Sequence, residues 1–134
     1  MRLAHLSSLG VAAGAVVLGA CASMPAKEGA QAERVCINKS EITSIVSLDD
    51  RHAFVKVRAS HFYLFTMDKT CQGLKLARTV AIESTTTRVC GDGVSLLSFE
   101  YPAVGPMRCR IEGIESVADK DTALQLIESR TAPE

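Results

Sequence analysis

Hydrophobic and polar positions divide the chain into three parts. No Lys, Arg, Asp or Glu occurs from Leu3 to Ala26, whereas residues 22–34 are mixed and show no apolar periodicity. From Val35 onward, short apolar runs alternate with polar residues and are separated by turn-forming residues. We therefore expect an apolar leader, a flexible tether and one folded domain, with these boundaries: 1–20, 21–34 and 35–130.

The folded part has mainly the pattern of β-strands. In residues 107–117, for example, apolar side chains at 107, 109 and 111 alternate with charged ones, as in a strand with one buried face. Comparable runs occupy 51–60, 61–67, 78–84, 88–90 and 94–99. Turn signals lie between them at Asp49-Asp50, Asp68-Lys69, 91–93 and 102–106. This spacing predicts a mainly β domain, a small antiparallel sandwich or barrel.

A helix is predicted at the C-terminal end, over residues 118–130. Asp119 or Asp121 is its candidate N-cap, and Arg130 lies at the end where a cation is favourable. Three apolar residues share one face of this helix: Ala123, Leu124 and Ile127. We therefore expect a β domain that ends in one helix.

The N-terminal run has the form of an export signal. Met1 and Arg2 provide a positive end, and the apolar run closes with Leu-Gly-Ala-Cys at 18–21. An aliphatic residue followed by two small residues and a cysteine is typical of a bacterial lipobox. The alternative is a retained transmembrane anchor, but the run is rich in Gly and Ala. We predict that Cys21 becomes the lipid-attached first residue of the mature protein.

The residues after Cys21 indicate where the anchor is held. Ala22 and Ser23 stand where Asp commonly retains a lipoprotein at the inner membrane. We therefore expect the periplasmic face of the outer membrane, with the membrane itself as a partner through the lipid on Cys21. The tether at 22–34 has an r.m.s. reach of roughly 20 Å by random-coil scaling, so the domain should stay near the bilayer.

Four cysteines remain downstream of Cys21: Cys36, Cys71, Cys90 and Cys109. Their wide spacing does not suit zinc, and an even number in an exported domain favours two structural disulfides. Sequence alone leaves three connectivities open. We expect Cys36 and Cys109 to lie within the first and last strands, which must meet if the sheet closes. We therefore prefer Cys36–Cys109, together with Cys71–Cys90 as a local link.

Composition and charge exclude several classes of partner. Lys plus Arg equals Asp plus Glu, at 15 each, and no local basic cluster occurs, so we expect no nucleic acid. Aromatic residues make up 4% of the chain and Trp is absent, which disfavours stacking platforms for sugars or bases.

No catalytic motif is found, and we expect neither catalytic residues, nor a metal site, nor a cofactor. His52 and His61, the two histidines outside the leader, would face each other if they lay across a hairpin. With Asp49 and Asp50 nearby, they would then form a metal or acid–base pair, although surface histidines are the commoner case. The Gly-Asp-Gly at 91–93 is interpreted as a hairpin turn rather than a calcium loop.

The chain resembles a family of small uncharacterised Gram-negative lipoproteins, grouped as a domain of unknown function with a lipobox and four cysteines. The resemblance covers residues 35–117 and rests on these segments: VCI (35–37), LDD (48–50), FYLF (62–65), CQGLKLA (71–77), RVCGDG (88–93) and RCRIEGI (108–114). It implies an exported, lipid-anchored domain, and it implies no activity and no catalytic residue.

Together these features predict a protein that is not an enzyme, a binding or structural module of the cell envelope. Its expected partner is an envelope protein or a cell-wall component. The alternative is a redox- or metal-handling lipoprotein that uses the downstream cysteines or the two histidines.

Overall fold

The computed structural model describes residues 34–132, which form eight strands and one helix. The predicted leader and most of the tether, Cys21 included, lie outside the described residues. The elements are β1 Cys36–Asn38, β2 Ile42–Ser47, β3 His52–Val57, β4 His61–Met67, β5 Val80–Glu83, β6 Arg88–Cys90, β7 Leu96–Tyr101, β8 Gly105–Val117 and α1 Lys120–Thr131. Short 3-10 turns lie at Lys39–Glu41 and Leu74–Leu76.

Six of the strands form one antiparallel sheet in the order β2-β3-β4-β8-β7-β5. Strand β8 is shared, since Gly105–Arg110 pairs with β7 and Ile111–Val117 pairs with β4. The two end strands, β2 and β5, approach each other, so the sheet is nearly closed. The prediction of a mainly β domain, an antiparallel sandwich or barrel with a C-terminal helix, is confirmed, and of the two alternatives the sheet is barrel-like.

A bulge in β8 curves the sheet at the point where its pairing changes. The register with β4 shifts between Thr66 and Met67, which leaves Glu112 as an extra residue on β8. Ile111 and Ile114 are therefore both buried in the barrel core, although they are three residues apart. The next outward side chains along β8 face the helix instead.

Two apolar clusters stabilise the domain. The larger fills the barrel and includes Val55, Phe65, Met67 and Leu97. The smaller lies outside the sheet, where α1 covers β3, β4 and β8; it is built from Leu64, Val117 and Ala123, with Leu48, Phe54, Phe62, Leu126 and Ile127 around them. The barrel thus buries apolar side chains on both faces of β4.

The helix is fixed at both ends. Asp119 is the N-cap, because its carboxylate accepts a hydrogen bond of 2.7 Å from the Thr122 backbone N–H. Near the C-terminal end, the Arg130 guanidinium donates two hydrogen bonds of 2.9 Å to the Glu115 carboxylate on β8. Of the predicted apolar face, Ala123 is buried and Ile127 partly buried in the smaller cluster. Leu124, however, is 42% exposed.

The disulfide pairing differs from the predicted one. Cys36 is bonded to Cys90, directly opposite it in the two-stranded ribbon of β1 and β6, and Cys71 is bonded to Cys109. The predicted pairs Cys36–Cys109 and Cys71–Cys90 are therefore wrong. The first strand pairs with β6 and does not meet β8. The loop after β4 meets β8 instead, since the Asp68 N–H donates to the Arg110 carbonyl at 3.0 Å.

Two local predictions also need correction. Strand β2 was not predicted, because a register shift between Ile42 and Ser44 breaks its alternation. Residues 91–93 do form a turn, but it is not a hairpin, since β6 pairs with β1 and not with β7. No helix in the described part of the chain is long and apolar enough to cross a membrane.

Candidate functional site

A polar cleft of about 450 Å³ opens at the end of the barrel where β3 turns into β4. The β1–β6 ribbon borders one side of it, and β3, β4 and the turn between them border the other. Its lining residues are Cys36, Ile37, Asn38, Glu41, Val57, Arg58, His61, Tyr63, Thr87 and Arg88. Most of these side chains are polar, in contrast to the apolar barrel interior below them.

The ribbon presents Asn38 and Arg88 together. These residues are direct partners in the β1–β6 pairing, so their side chains emerge on the same face. Their neighbours Ile37 and Val89 are buried in the barrel core. The Lys39 backbone N–H donates to the Thr87 carbonyl at 2.9 Å, which continues the pairing beyond β1. The ribbon therefore holds the Arg88 side chain at the rim of the cleft.

Arg58 begins the turn between β3 and β4 with an unusual backbone. Its φ is 55°, in the left-handed region that residues other than glycine rarely adopt. The Arg58 backbone N–H donates to the Glu41 carbonyl at 2.9 Å, and its guanidinium forms an ion pair with the Glu41 carboxylate. Both contacts fix Arg58 against the chain segment that precedes β2. Backbone conformations of this kind are concentrated at functional sites.

Strand β4 contributes His61 and Tyr63. Both belong to the set of β4 side chains that points toward the barrel, and Tyr63 packs against the core. His61 lies at the open end, opposite Val57, and is exposed. Its imidazole and the Tyr63 hydroxyl add hydrogen-bonding groups to the cleft.

Hydrogen-bond donors and positive charge predominate in the cleft. Two basic residues, Arg58 and Arg88, line the cleft together with one acidic residue, Glu41. Among residues 34–132, Arg88 has no carboxylate within the 4.0 Å of an ion pair. Guanidinium groups bind carboxylate and phosphate oxygens with defined geometry. The cleft is therefore suited to an anionic ligand.

The two histidines singled out in the sequence are not brought together. His52 is opposite Thr66 and His61 is opposite Val57, at opposite ends of the β3–β4 hairpin. Five residues of strand separate these pairs by roughly 17 Å. His52 and His61 therefore do not form a facing metal or acid–base pair. The commoner case of a surface histidine holds for His61, which is exposed, but not for His52.

His52 has a structural environment instead. It is 7% exposed, and its Nδ1 lies 3.0 and 2.9 Å from the two carboxylate oxygens of Asp49. The neighbouring Asp50 accepts hydrogen bonds from the backbone N–H groups of Cys71, at 2.6 Å, and Lys75, at 3.0 Å. The turn at 48–51 thus connects the barrel with the loop that carries Cys71. Within residues 34–132, no three His, Cys, Asp or Glu side chains are grouped to hold a metal ion.

Comparison with known proteins places the chain in a family. The model of a family of unknown function, DUF6491, matches residues 4–133. The chain belongs to this family. No curated protein and no solved structure shows a significant match to it. The resemblance noted from the sequence, to a family of unknown function, is confirmed at this level.

Sequence reasoning missed the charged residues of the DUF6491 cleft. Cys36 and His61 were singled out for their residue types, whereas Glu41, Arg58 and Arg88 were not. Nothing in the local pattern distinguishes these three from other surface charges. They are brought together by the β1–β6 pairing and by the β3–β4 turn, which join segments far apart in sequence.

Proposed function

We propose that this DUF6491 protein is a lipid-anchored envelope protein that acts by binding rather than by catalysis. Cys21 carries the lipid and holds the domain on the periplasmic face of the outer membrane. The cleft lined by Arg58 and Arg88 is the binding surface, and its ligand is an envelope protein or a cell-wall component.

Two observations support the anchor. The family match begins at residue 4, so the apolar leader and the Leu-Gly-Ala-Cys sequence at 18–21 lie within the matched region. The folded domain begins close behind them, with β1 starting at Cys36, which itself lines the cleft. Fourteen residues lie between Cys21 and Cys36, and a chain of this length spans at most roughly 50 Å, so an anchor at Cys21 keeps the cleft within that distance of the membrane surface.

The observation that carries the binding proposal is the conformation of Arg58. A left-handed backbone at a residue other than glycine costs about 1–2 kcal/mol. Two contacts to Glu41 hold this arginine in place at the edge of a cleft that also contains Arg88 and His61. A cleft of about 450 Å³ has the size of common small-ligand sites.

Photo-crosslinking in intact cells tests the binding surface. A photoreactive amino acid replaces Thr87, in the cleft, or Gln125, an exposed residue of α1 that lies outside it. We expect a discrete adduct from position 87 and none from position 125. The adduct should decline when Arg88→Gln is added. Equal adducts from both positions, or none from position 87, would contradict a binding role for the cleft.

One observation favours the alternative redox function. The Cys36–Cys90 disulfide is half-buried and Cys36 lines the cleft, whereas Cys71 and Cys109 are buried. A redox partner would reach the first pair far more easily than the second. If the Cys36–Cys90 disulfide alternates between oxidised and reduced forms, a thiol-blocking reagent added to native envelopes before denaturation will label these two cysteines. If the disulfide is structural, both cysteines stay unlabelled until a reductant is added.

A further inference from the structure

We propose that the cleft binds a ligand through a phosphate group, held by Arg88 and by Arg58, and that the phosphate replaces the Glu41 carboxylate as the partner of Arg58. The proposal rests on the proposed function, in which this cleft is the binding surface. It adds the chemical class of the ligand and a role for Glu41.

The arrangement of the two arginines favours phosphate over carboxylate. Arg88 comes from β6 and Arg58 from the turn between β3 and β4, so the two arginines border the cleft from different elements. A planar carboxylate is matched by a single guanidinium through two parallel hydrogen bonds. A phosphate group carries more charge and three acceptor oxygens. It can therefore accept hydrogen bonds from both arginines and from His61 or Tyr63.

Glu41 occupies the position of a competing anion. Its carboxylate is paired with the Arg58 guanidinium, while the Arg58 side chain remains 67% exposed and that of Glu41 30%. Ion pairs this exposed contribute little net stability. A phosphate dianion can therefore exchange with the Glu41 carboxylate at small cost, and the Arg58 side chain remains largely exposed while the pair is intact.

The backbone of Arg58 is prepared for this exchange. Its N–H group is bonded to the Glu41 carbonyl, not to the carboxylate, and that bond is 2.9 Å long. The Thr43 hydroxyl lies 3.2 Å from the Lys56 carbonyl and 3.4 Å from the Arg58 carbonyl, and its one hydrogen is shared between them. Because these contacts do not involve either charged group, the turn keeps its position when the carboxylate leaves. The binding site is therefore largely preorganised, which limits the entropy lost on binding.

An NMR titration of the full chain in a non-ionic detergent tests the proposal. The probes are inorganic phosphate, sn-glycerol 3-phosphate and, as a carboxylate, acetate. We expect the His61 imidazole signals and the Arg58 and Arg88 side-chain signals to shift with both phosphates, and to shift little with acetate. Equal affinity for the two phosphates indicates that free phosphate suffices. Tighter binding of glycerol 3-phosphate points to a phosphate ester, as in a lipid headgroup.

Variants of opposite effect make the test specific. Glu41→Gln removes the competing charge and should tighten phosphate binding about fivefold. Arg88→Gln removes a charged donor and should weaken it about tenfold. Arg110→Gln, the same change at an exposed arginine outside the cleft, should leave the affinity unchanged. The amide spectrum of each variant checks that the fold is retained.

Three results would overturn the proposal: no response of the cleft signals to phosphate, acetate binding as tightly as phosphate, or weaker phosphate binding by Glu41→Gln. Each of these leaves the crosslinking result at position 87 unaffected. A crosslinked partner without a phosphate response would therefore reject the phosphate proposal alone. If neither a crosslinked adduct at position 87 nor a phosphate response is found, the cleft is rejected as a binding surface.

Discussion

Among the described residues, Arg58 and Ala103 are the two besides glycine that have a positive φ, at 55° and 68°. Their surroundings differ. Arg58 is held by Glu41 at the rim of the cleft, while Ala103 lies in the exposed turn between β7 and β8. That turn is closed by the Val104 N–H, which donates to the Tyr101 carbonyl at 3.1 Å. The unusual backbone at Arg58 coincides with a candidate site, whereas that at Ala103 follows from turn geometry.

Ala103→Gly should stabilise the domain. With Pro102 before it and a positive φ, Ala103 occupies the third position of a type II turn, which favours glycine. Glycine removes the strain of the left-handed backbone, which raises the free energy of unfolding by about 1–2 kcal/mol. The greater freedom of glycine in the unfolded chain offsets about 0.5–1 kcal/mol of this gain. We expect the free energy of unfolding in urea to rise by about 0.5–1 kcal/mol.

Ala59→Gly is the matched control for this change. Ala59 is an exposed turn residue like Ala103, but its φ is not positive. Glycine there gives no relief and should lower the stability by about 0.5–1 kcal/mol. A loss of stability in both variants would show that the Ala103 backbone is not under strain.

At the scale of elements, the alternation of apolar residues predicted most strands because it depends on local burial. Residues 61–67 and 88–90 were predicted with the bounds that the structure shows, and the C-terminal helix within two residues. Strand β2 was missed because its bulge places Ile42 and Ile45 three residues apart, although both pack on the barrel core. A bulge depends on the partner strand, and one segment of sequence does not reveal it.

The cap of α1 leads to a prediction for pH. The backbone hydrogen bond from Thr122 holds the pKa of Asp119 below its ordinary value of 3.8. A lowered pKa in the folded state means that the carboxylate stabilises the fold fully above the ordinary pKa. This contribution is lost as the pH falls through the folded pKa.

Asp119→Ala should therefore lower the thermal unfolding temperature at pH 7, and the difference from the native protein should shrink at about pH 2. Asp121→Ala serves as the control, since Asp121 is in the first turn but is not the N-cap. It should have the smaller effect at neutral pH. Equal losses from the two variants at pH 7 would argue against Asp119 as the cap.

For the whole molecule, class and size were predictable but long-range pairing was not. Composition and strand spacing are sums of local properties, and they indicated a small β domain. The partners of Cys36 and Cys109 depend on which strands meet, and that depends on how the whole sheet closes. The cleft is subject to the same limit, since Glu41, Arg58 and Arg88 come from three separate segments.

The two disulfides should both matter for stability, but unequally. They link residues separated by 54 and 38 positions, for which the chain-entropy estimate is about 4 kcal/mol each. Replacing Cys71 and Cys109 together by serine also places hydroxyls in buried positions, whereas Cys36 and Cys90 are half-buried. In urea unfolding, the Cys71→Ser/Cys109→Ser variant should lose more stability than Cys36→Ser/Cys90→Ser.

Peptide mapping of the unreduced protein checks the connectivity behind this prediction. It should recover fragments joined as Cys36–Cys90 and Cys71–Cys109. Fragments joining Cys36 to Cys109 would contradict the pairing of β1 with β6. In that case the β1–β6 ribbon would not form as described, and Arg88 would not be held at the rim of the cleft.

We propose above all that Cys21 holds this domain at a membrane and that two disulfides close it. The most direct test is the intact mass of the protein from native envelopes. One sample is treated with a thiol-blocking reagent directly, and a second sample is reduced first and then blocked. We expect a chain that begins at Cys21 and carries a lipid adduct, with four blocked thiols appearing only after reduction. An unprocessed chain without lipid, or blocked thiols before reduction, would contradict it.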